Sequence, residues 1–215
     1  MNASHVDDGL GAGSQRRARS PRGQGDQLRA EILRAVARLL DEQVHTPDLN
    51  LSLREVARET GIATQSMYIH FASKEALGWA VAADGYQRLV TAMRAADRET
   101  PGNAADRLRA QAHVFLRFAE SNRGVFRLMF GHDVGQMAPD TFTHPGSQLA
   151  QQWIDAVHAC EAEGHVWPEG AEQVARHLWS ALLGRFALWA TTFEHEIQDS
   201  PALFADYLLD RILAR

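Results

Sequence analysis

Apolar positions recur at helical spacing along most of this chain, and nowhere do apolar and polar residues alternate as they would along a half-buried strand. From Asp26 onward, Leu28, Ile32, Val36, Leu39 and Leu40 predict a first helix that Pro47 stops. Ser52 followed by Glu55 has the form of a capping box and starts a short second helix with Leu53, Val56 and Ala57 on its inner face. That helix ends at Gly61, the residue best able to take the left-handed turn conformation. Thr64 to Phe71 predicts a third helix with Met67 and Phe71 turned inward, after which Ser73 caps a long fourth helix reaching about Arg98. Leu108, Ala112, Phe115, Leu116 and Ala119 mark a further helix, and Val125 to Phe130 a short one.

Gly131, Gly135, Pro139, Pro145 and Gly146 then break the pattern into a loop. Three more helices follow over 149–163, 170–196 and 201–215, the last opened by Ser200 as cap and by Pro201, whose missing N–H costs nothing in a first turn. The penultimate one repeats Leu178, Ala181, Leu182, Phe186, Trp189 and Phe193 beside the small Gly184, Ala187 and Ala190. Helices apolar over so much of their girth must be covered on more than one side, and a second copy of the chain is the economical cover. The expected fold class is therefore all-α, and the expected assembly is a homodimer joined by the last two helices, with Leu182 and Leu208 in the seam.

Charge divides the chain unevenly. The net charge of -5 disfavours indiscriminate binding to polyanions, so any contact with DNA has to be local. Residues 1 to 98 carry 13 Lys+Arg against 12 Asp+Glu, whereas residues 99 to 215 carry 9 against 15, which makes the second half a poor partner for phosphate. Residues 1–25 hold Arg16, Arg17, Arg19 and Arg22 with almost no large apolar side chain, and read as a disordered basic arm that either lies along DNA or is a plain leader. Residues 26–72 form the expected helix-turn-helix unit and 73–215 the second domain. The one cysteine, Cys160, has no disulfide partner in the chain; with no long apolar run and no hydrophobic leader segment, the expectation is a cytoplasmic protein without membrane contact.

The stretch SLREVARETGIATQSMYIHFASKEAL, Ser52 to Leu77, carries the function. Two short helices that cross closely need a small residue at the contact, here Ala57, and a glycine at the reversal, here Gly61. Such geometry leaves the start of the third helix projecting outward, where a helix enters a major groove ~12 Å wide. With Ala57, Gly61-Ile62, Tyr68, Phe71, Lys74 and Leu77 in register, the segment resembles the DNA-binding region of the tetracycline-repressor (TetR) family. The family's usual Gly-Thr before the aromatic is here Gln65-Ser66, a departure that alters the operator rather than the fold.

The resemblance implies a double-stranded DNA operator as partner. It implies that Thr64 and Gln65 face base edges, that Arg54 reaches from the second helix, and that Ser66, Tyr68, His70 and Lys74, with Ser52 beside them, meet the DNA backbone. The chemistry suits those roles: glutamine pairs bidentately with adenine, arginine with guanine, and hydroxyls or an ammonium with phosphate oxygens. Lys74 stands out on its own as the only lysine among 22 basic residues, placed in a first helical turn where the macrodipole disfavours a cation.

The segment Phe115 to Gly131 resembles the TetR subgroup that carries Trp-x-x-x-His-Gly in its penultimate helix. Here Trp179 and Gly184 keep that spacing, but Leu183 replaces the histidine, so no ligand chemistry follows from it. Phe115, Phe118, Phe126, Met129, Trp153, His158 and Trp179 are candidates to line a mostly apolar pocket for a small-molecule effector, with ordinary core packing as the alternative for each. The ten histidines show no metal-ligand spacing, and no nucleophile elbow, phosphate-cradling loop or paired carboxylates occur, so no metal, cofactor or catalytic residue is expected. The function this predicts is an operator-binding repressor released by an apolar effector. Its rivals are a small helical enzyme and a DNA-binding protein whose second domain only dimerises.

Overall fold

The structure, a computed structural model, describes residues 24–43, 52–131, 144–191 and 200–214. Among the described residues there are nine α-helices and no strand. The expected arm up to residue 23, the stop at Pro47, the loop residues Gly135 and Pro139, and Phe193 lie outside that set.

Three helices, the last two of them short, make the first module. Helix α1 (Gln24–Glu42) buries Ile32, Ala35, Val36 and Leu40 on one face, α2 (Leu53–Thr60) buries Leu53, Val56 and Ala57, and α3 (Thr64–His70) buries Met67, with Phe71 just beyond its end. Between α2 and α3 the chain reverses through Gly61 at φ 67. There the Ile62 N–H reaches the Ala57 carbonyl at 2.9 Å and the Gly61 N–H reaches Arg58 at 3.3 Å, the paired bonds of a left-handed helix end that a Cβ would strain. The guanidinium of Arg29 lies over the Phe71 ring, 4.6 Å from its centroid, and closes the module on the α1 side.

The capping box expected at Ser52 and Glu55 does not form. Ser52 does occupy the cap position, with its carbonyl accepting the Val56 N–H at 3.0 Å, but its hydroxyl makes no cap bond. The Glu55 carboxylate stands 3.9 Å from Arg58 instead of reaching back to the Ser52 N–H. A reciprocal box does form at α5 (Ala104–Ser121). There Asn103 accepts from the Asp106 N–H at 2.9 Å and Asp106 accepts from the Asn103 N–H at 3.0 Å.

Helix α4 (Lys74–Glu99), capped by the Ser73 hydroxyl at 3.1 Å, is the beam of the molecule. Its 26 residues span about 39 Å at 1.5 Å per residue. Its buried face, from Leu77 through Tyr86 to Met93, meets both the first module and the helices beyond. Helices α6 (Arg123–Phe130), α7 (Gly146–Ala162), α8 (Ala171–Thr191) and α9 (Pro201–Leu213) complete the second module. Helix α7 begins at Gly146, three residues before the sequence pattern placed it, because Pro145 supplies a helical φ just ahead of the first turn.

A chain of polar groups running from the surface at Arg94 and Asp97 to the buried Gln111 and Gln152 ties α4, α5 and α7 together. Gln152 donates to Gln111 at 2.8 Å, Gln111 donates to Asp97 at 3.1 Å, and Arg94 donates to Gln152 at 3.2 Å. Two buried amides that each have their partner hold one packing register against alternatives. At the other edge Arg109 of α5 bridges Asp206 and Asp210 of α9 at 2.9 and 2.6 Å, while His113 meets Asp206 at 2.8 Å. Burial pushes the Cys160 thiol up to about 11, so Cys160 serves as an inert small apolar group on the inner face of α7.

Candidate nucleic-acid interface and effector cavity

Helix α3 turns Met67 into the core and presents its opposite side outward. Gln65 and Tyr68 are exposed there, and Thr64 and Ser66 stand half-buried in the first turn, where the Ser66 N–H donates to the Ala63 carbonyl at 2.8 Å. Ile69, 80% exposed, is an apolar group on the same outer side that the sequence analysis passed over. Its position was legible, because it sits two residues from both Met67 and Phe71 and so cannot share their inward face.

Beside α3 a groove of about 560 Å³ opens where the N-termini of α2 and α4 approach one another. Ser52, Arg54, Tyr68 and Lys74 line it together, four of the eight residues predicted for DNA contact. Two helix N-termini aimed at one groove, an ammonium and a guanidinium at its edge, and two hydroxyls form a setting for phosphate. Thr64, Gln65 and Ser66 lie on α3 outside this groove, and His70 is half-buried in the last turn of α3. Lys74 is not wholly alone, since its Nζ is 3.9 Å from the Glu75 carboxylate, but both groups are largely exposed and such a pair is readily exchanged for phosphate. The Glu75 carboxyl is held below the usual carboxylate range by its own backbone N–H, then by the Ser73 hydroxyl and by Lys74.

In the second module a cavity of about 370 Å³ lies between α6 and α8. Phe126, Phe130, Leu183, Phe186 and Ala190 give it apolar walls, and Arg123 and Arg127 are its charged residues. Of the seven predicted effector residues, Phe126 lines it directly. Phe115, Met129 and Trp153 are buried in the core behind, with the Phe115 ring 5.5 Å from Phe126 and 5.7 Å from Trp153, centroid to centroid. Trp179 stands 6.3 Å from Phe130. Phe118 lies apart, under the Arg88 guanidinium at 5.4 Å, and His158 is exposed on α7, 3.0 Å from Glu161. Leu183, at the position where the resembled subgroup has histidine, contributes only apolar surface. Nothing in the sequence marks Arg123, because one arginine in a short helix looks like a solvated face.

Two family models match the chain, "Bacterial regulatory proteins, tetR family" over residues 49–81 and "Tetracyclin repressor-like, C-terminal domain" over residues 108–212. The chain belongs to the TetR family. Among curated relatives it is similar to the HTH-type transcriptional activator FasR of Mycolicibacterium smegmatis, 32% identical over 149 residues. That match covers 69% of this chain and 60% of the length of FasR. Solved structures share the fold. A Rhodococcus sp. RHA1 protein of unknown function superposes with TM-score 0.69 at 24% identity, covering 91% of this chain and 97% of that one. The TetR family regulator PfmR of Thermus thermophilus superposes with TM-score 0.60 at 19% identity, covering 85% and 96%. The fatty acid degradation regulator FadR of Bacillus halodurans does so with TM-score 0.68 at 11% identity, covering 86% and 94%.

Within this TetR-family chain the outer faces of α8 and α9 carry apolar groups that nothing among the described residues covers. Leu188, Leu203 and Tyr207 are each more than half exposed. Leu182, expected in the seam between copies, is instead 0% exposed within the protomer, because the small Gly184 and Ala187 rather than the leucine occupy the outer side of α8. Leu208 is half-buried against the core. Among the described residues no helix is long and apolar enough to cross a membrane.

Proposed function

We propose that this chain is a cytoplasmic, sequence-specific regulator of transcription that binds a double-stranded operator as a homodimer and lets go of it when a small molecule enters the α6/α8 cavity. The observation that carries the reading is the outward face of α3, with Gln65 free to meet a base edge beside a groove that gathers Ser52, Arg54, Tyr68 and Lys74. Gln65 and Thr64 read bases, while the hydroxyls and Lys74 hold phosphate. Two copies related by a two-fold axis through α8 and α9 would bury Leu188, Leu203 and Tyr207, and would set two recognition helices for successive major grooves ~34 Å apart.

Helix α6 couples the cavity to the DNA face because it touches both α1 and α4. Gly124 packs so closely on the backbone of Leu40 that any Cβ there would collide with it, and its N–H donates to the Asp41 carboxylate at 2.7 Å. On the other side the Tyr86 hydroxyl of α4 donates to the Met129 carbonyl at 2.7 Å. A ligand that pushes α6 away from α8 therefore pushes on the end of α1 and on the middle of α4. A tilt of about 5° in a beam about 39 Å long displaces its end by about 3 Å, enough to spoil the spacing of two recognition helices. By linkage, the effector binds the operator-bound protein more weakly by the same factor by which it weakens operator binding.

Selection of bound duplexes from a random pool by the purified protein tests the reading. The expected product is a near-palindrome with half-sites about one turn apart, whereas retention of all duplexes alike would remove it. The relative FasR is named as an activator, which favours a second reading in which operator occupancy switches transcription on. Transcription in vitro from the selected operator, with and without the protein, separates the two signs.

A further inference from the structure

The α6/α8 cavity combines apolar walls with an unanswered positive charge. Arg123 opens α6 and lines the cavity, its guanidinium 5.1 Å from the centroid of the Trp189 ring. Its Nε and Nη2 are buried and have no hydrogen-bond partner among the described residues. A guanidinium cannot shed its charge, so burying that edge without an acceptor is a cost the fold alone does not explain. Nε and Nη2 together form the side of the guanidinium that takes a carboxylate or phosphate through two parallel bonds. Two further buried donors behind the cavity, the indole N–H groups of Trp153 and Trp179, also lack acceptors. Among the described residues, those lining the cavity include Arg123 and Arg127 and no carboxylate. Orphaned groups around this site are thus donors, and what they lack is a bound acceptor.

We propose that the effector is an anionic amphiphile, with a carboxylate or phosphate head held by Arg123 and an apolar tail laid against Phe126, Phe130 and Phe186. This rests on the reading of the cavity as the effector site and adds the chemistry of the ligand. A volume of about 370 Å³ accommodates on the order of a dozen heavy atoms, at about 30 Å³ each, which matches a medium-length alkyl chain with its head. Because the guanidinium packs on Trp189, engaging the head requires it to turn from that ring toward the cavity. Trp189 is therefore the reporter of headgroup binding.

The test compares four ligands of one chain length below their micelle concentrations: decanoate, decyl phosphate, decan-1-ol and decyltrimethylammonium. Calorimetric titration of the full chain gives their affinities, and release of the selected operator gives their effect. Decanoate or decyl phosphate is expected to bind at least about tenfold more tightly than decanol, with the cation weakest, and the ratio of the two anions identifies which head is preferred. Arg123→Met should reduce the anion-over-alcohol preference to near unity while decanol binds as before, and Trp189→Phe should remove the fluorescence change that only the anions cause. Decanol binding as tightly as both anions to the wild-type chain would overturn the proposal, a comparison that needs no variant to fold. An anion preference that survives Arg123→Met would overturn it too. If decanol binds the cavity and releases the operator without any anion advantage, the effector site stands and only its headgroup chemistry falls. If no ligand fills the cavity and operator release is unaffected by all four, the effector reading itself fails.

Discussion

The two modules of this chain display their chemistry in opposite ways. In the first, the groups that would meet DNA stand on the outside of two short helices and at the start of a long one, and their placement follows from neighbours a few residues away: Gly61 sets the reversal, Met67 and Phe71 set which side of α3 faces in, and Ser73 starts α4 beside Lys74. In the second, the groups that would meet an effector lie inside, on helices distant in sequence, and only packing decides which of them border a space. Surface recognition can be written in a local motif. A cavity is a property of how faces meet.

The largest expected effect breaks the link between the modules. Replacing Leu188 and Leu203 together by glutamate puts one charge on the outer face of α8 and one on that of α9 without touching the protomer core. The double variant is expected to sediment as a folded monomer and to lose operator affinity by more than about a hundredfold, since each half-site then binds alone. A dimer that persists at micromolar concentration would place the interface elsewhere. Leu182 is unsuitable for this purpose, because a charge at a fully buried position would unfold the chain whether or not it dimerises.

Next comes base reading. Gln65→Ala is expected to cost roughly 1 to 3 kcal/mol at one base pair of the operator and to change the base selected there. An unchanged selected motif would show that this side chain does not read sequence.

Legibility in the sequence follows the same division between surface and cavity. Helix ends at Gly61, Ser73 and Ser200 were readable because a cap is decided within one turn, and so was the inward set of α1 to α3. The Ser52 box was misread because a pattern of residue types does not fix a rotamer, and Glu55 had Arg58 within reach on its own helix. The true box at Asn103 and Asp106 carried an equally plain signal. Around the cavity, aromatic spacing could not distinguish Phe126 at the wall from Phe115 and Trp153 in the core, or from His158 out in solvent. Arg123 was invisible for the complementary reason, that its burial comes from α8, some sixty residues further along the chain.

Filling the cavity sharpens the contrast with the surface. Leu183→Trp adds bulk at the wall without opening the core, whereas Phe126→Ala would also cost about 3 to 5 kcal/mol of packing and confuse the outcome. Leu183→Trp is expected to abolish effector response while operator affinity stays within about twofold. If the variant responds normally, the effector sits somewhere other than α6/α8.

A smaller effect is expected for Lys74→Ala. One lost phosphate contact should weaken binding on all duplexes alike and reduce the slope of log affinity against log salt by about one unit. An unaltered slope would mean that Lys74 remains with Glu75 rather than moving to DNA.

The smallest effect is acid sensitivity confined to the second module. Burial raises the pKa of Asp206, but the hydrogen bonds from His113 and Arg109 outweigh it and hold the carboxyl below the usual range. A carboxyl depressed in the folded state contributes stability that is present above its unfolded value and is lost as pH falls through the folded one. Between neutrality and the ordinary carboxylate range the clamp of α9 on α5 should therefore hold, and below that range it should loosen. Asp206 is partly exposed, so solvent screening keeps the effect modest. The measurement is the thermal midpoint of the wild-type chain and of Asp206→Asn from pH 7 down to about pH 3. The wild type should lose its advantage over the variant as the carboxyl protonates, and because α9 carries Leu203 and Tyr207, dimer dissociation should follow the same titration. A constant difference between the two proteins across that range would show that the Asp206 charge does not clamp α9 onto α5.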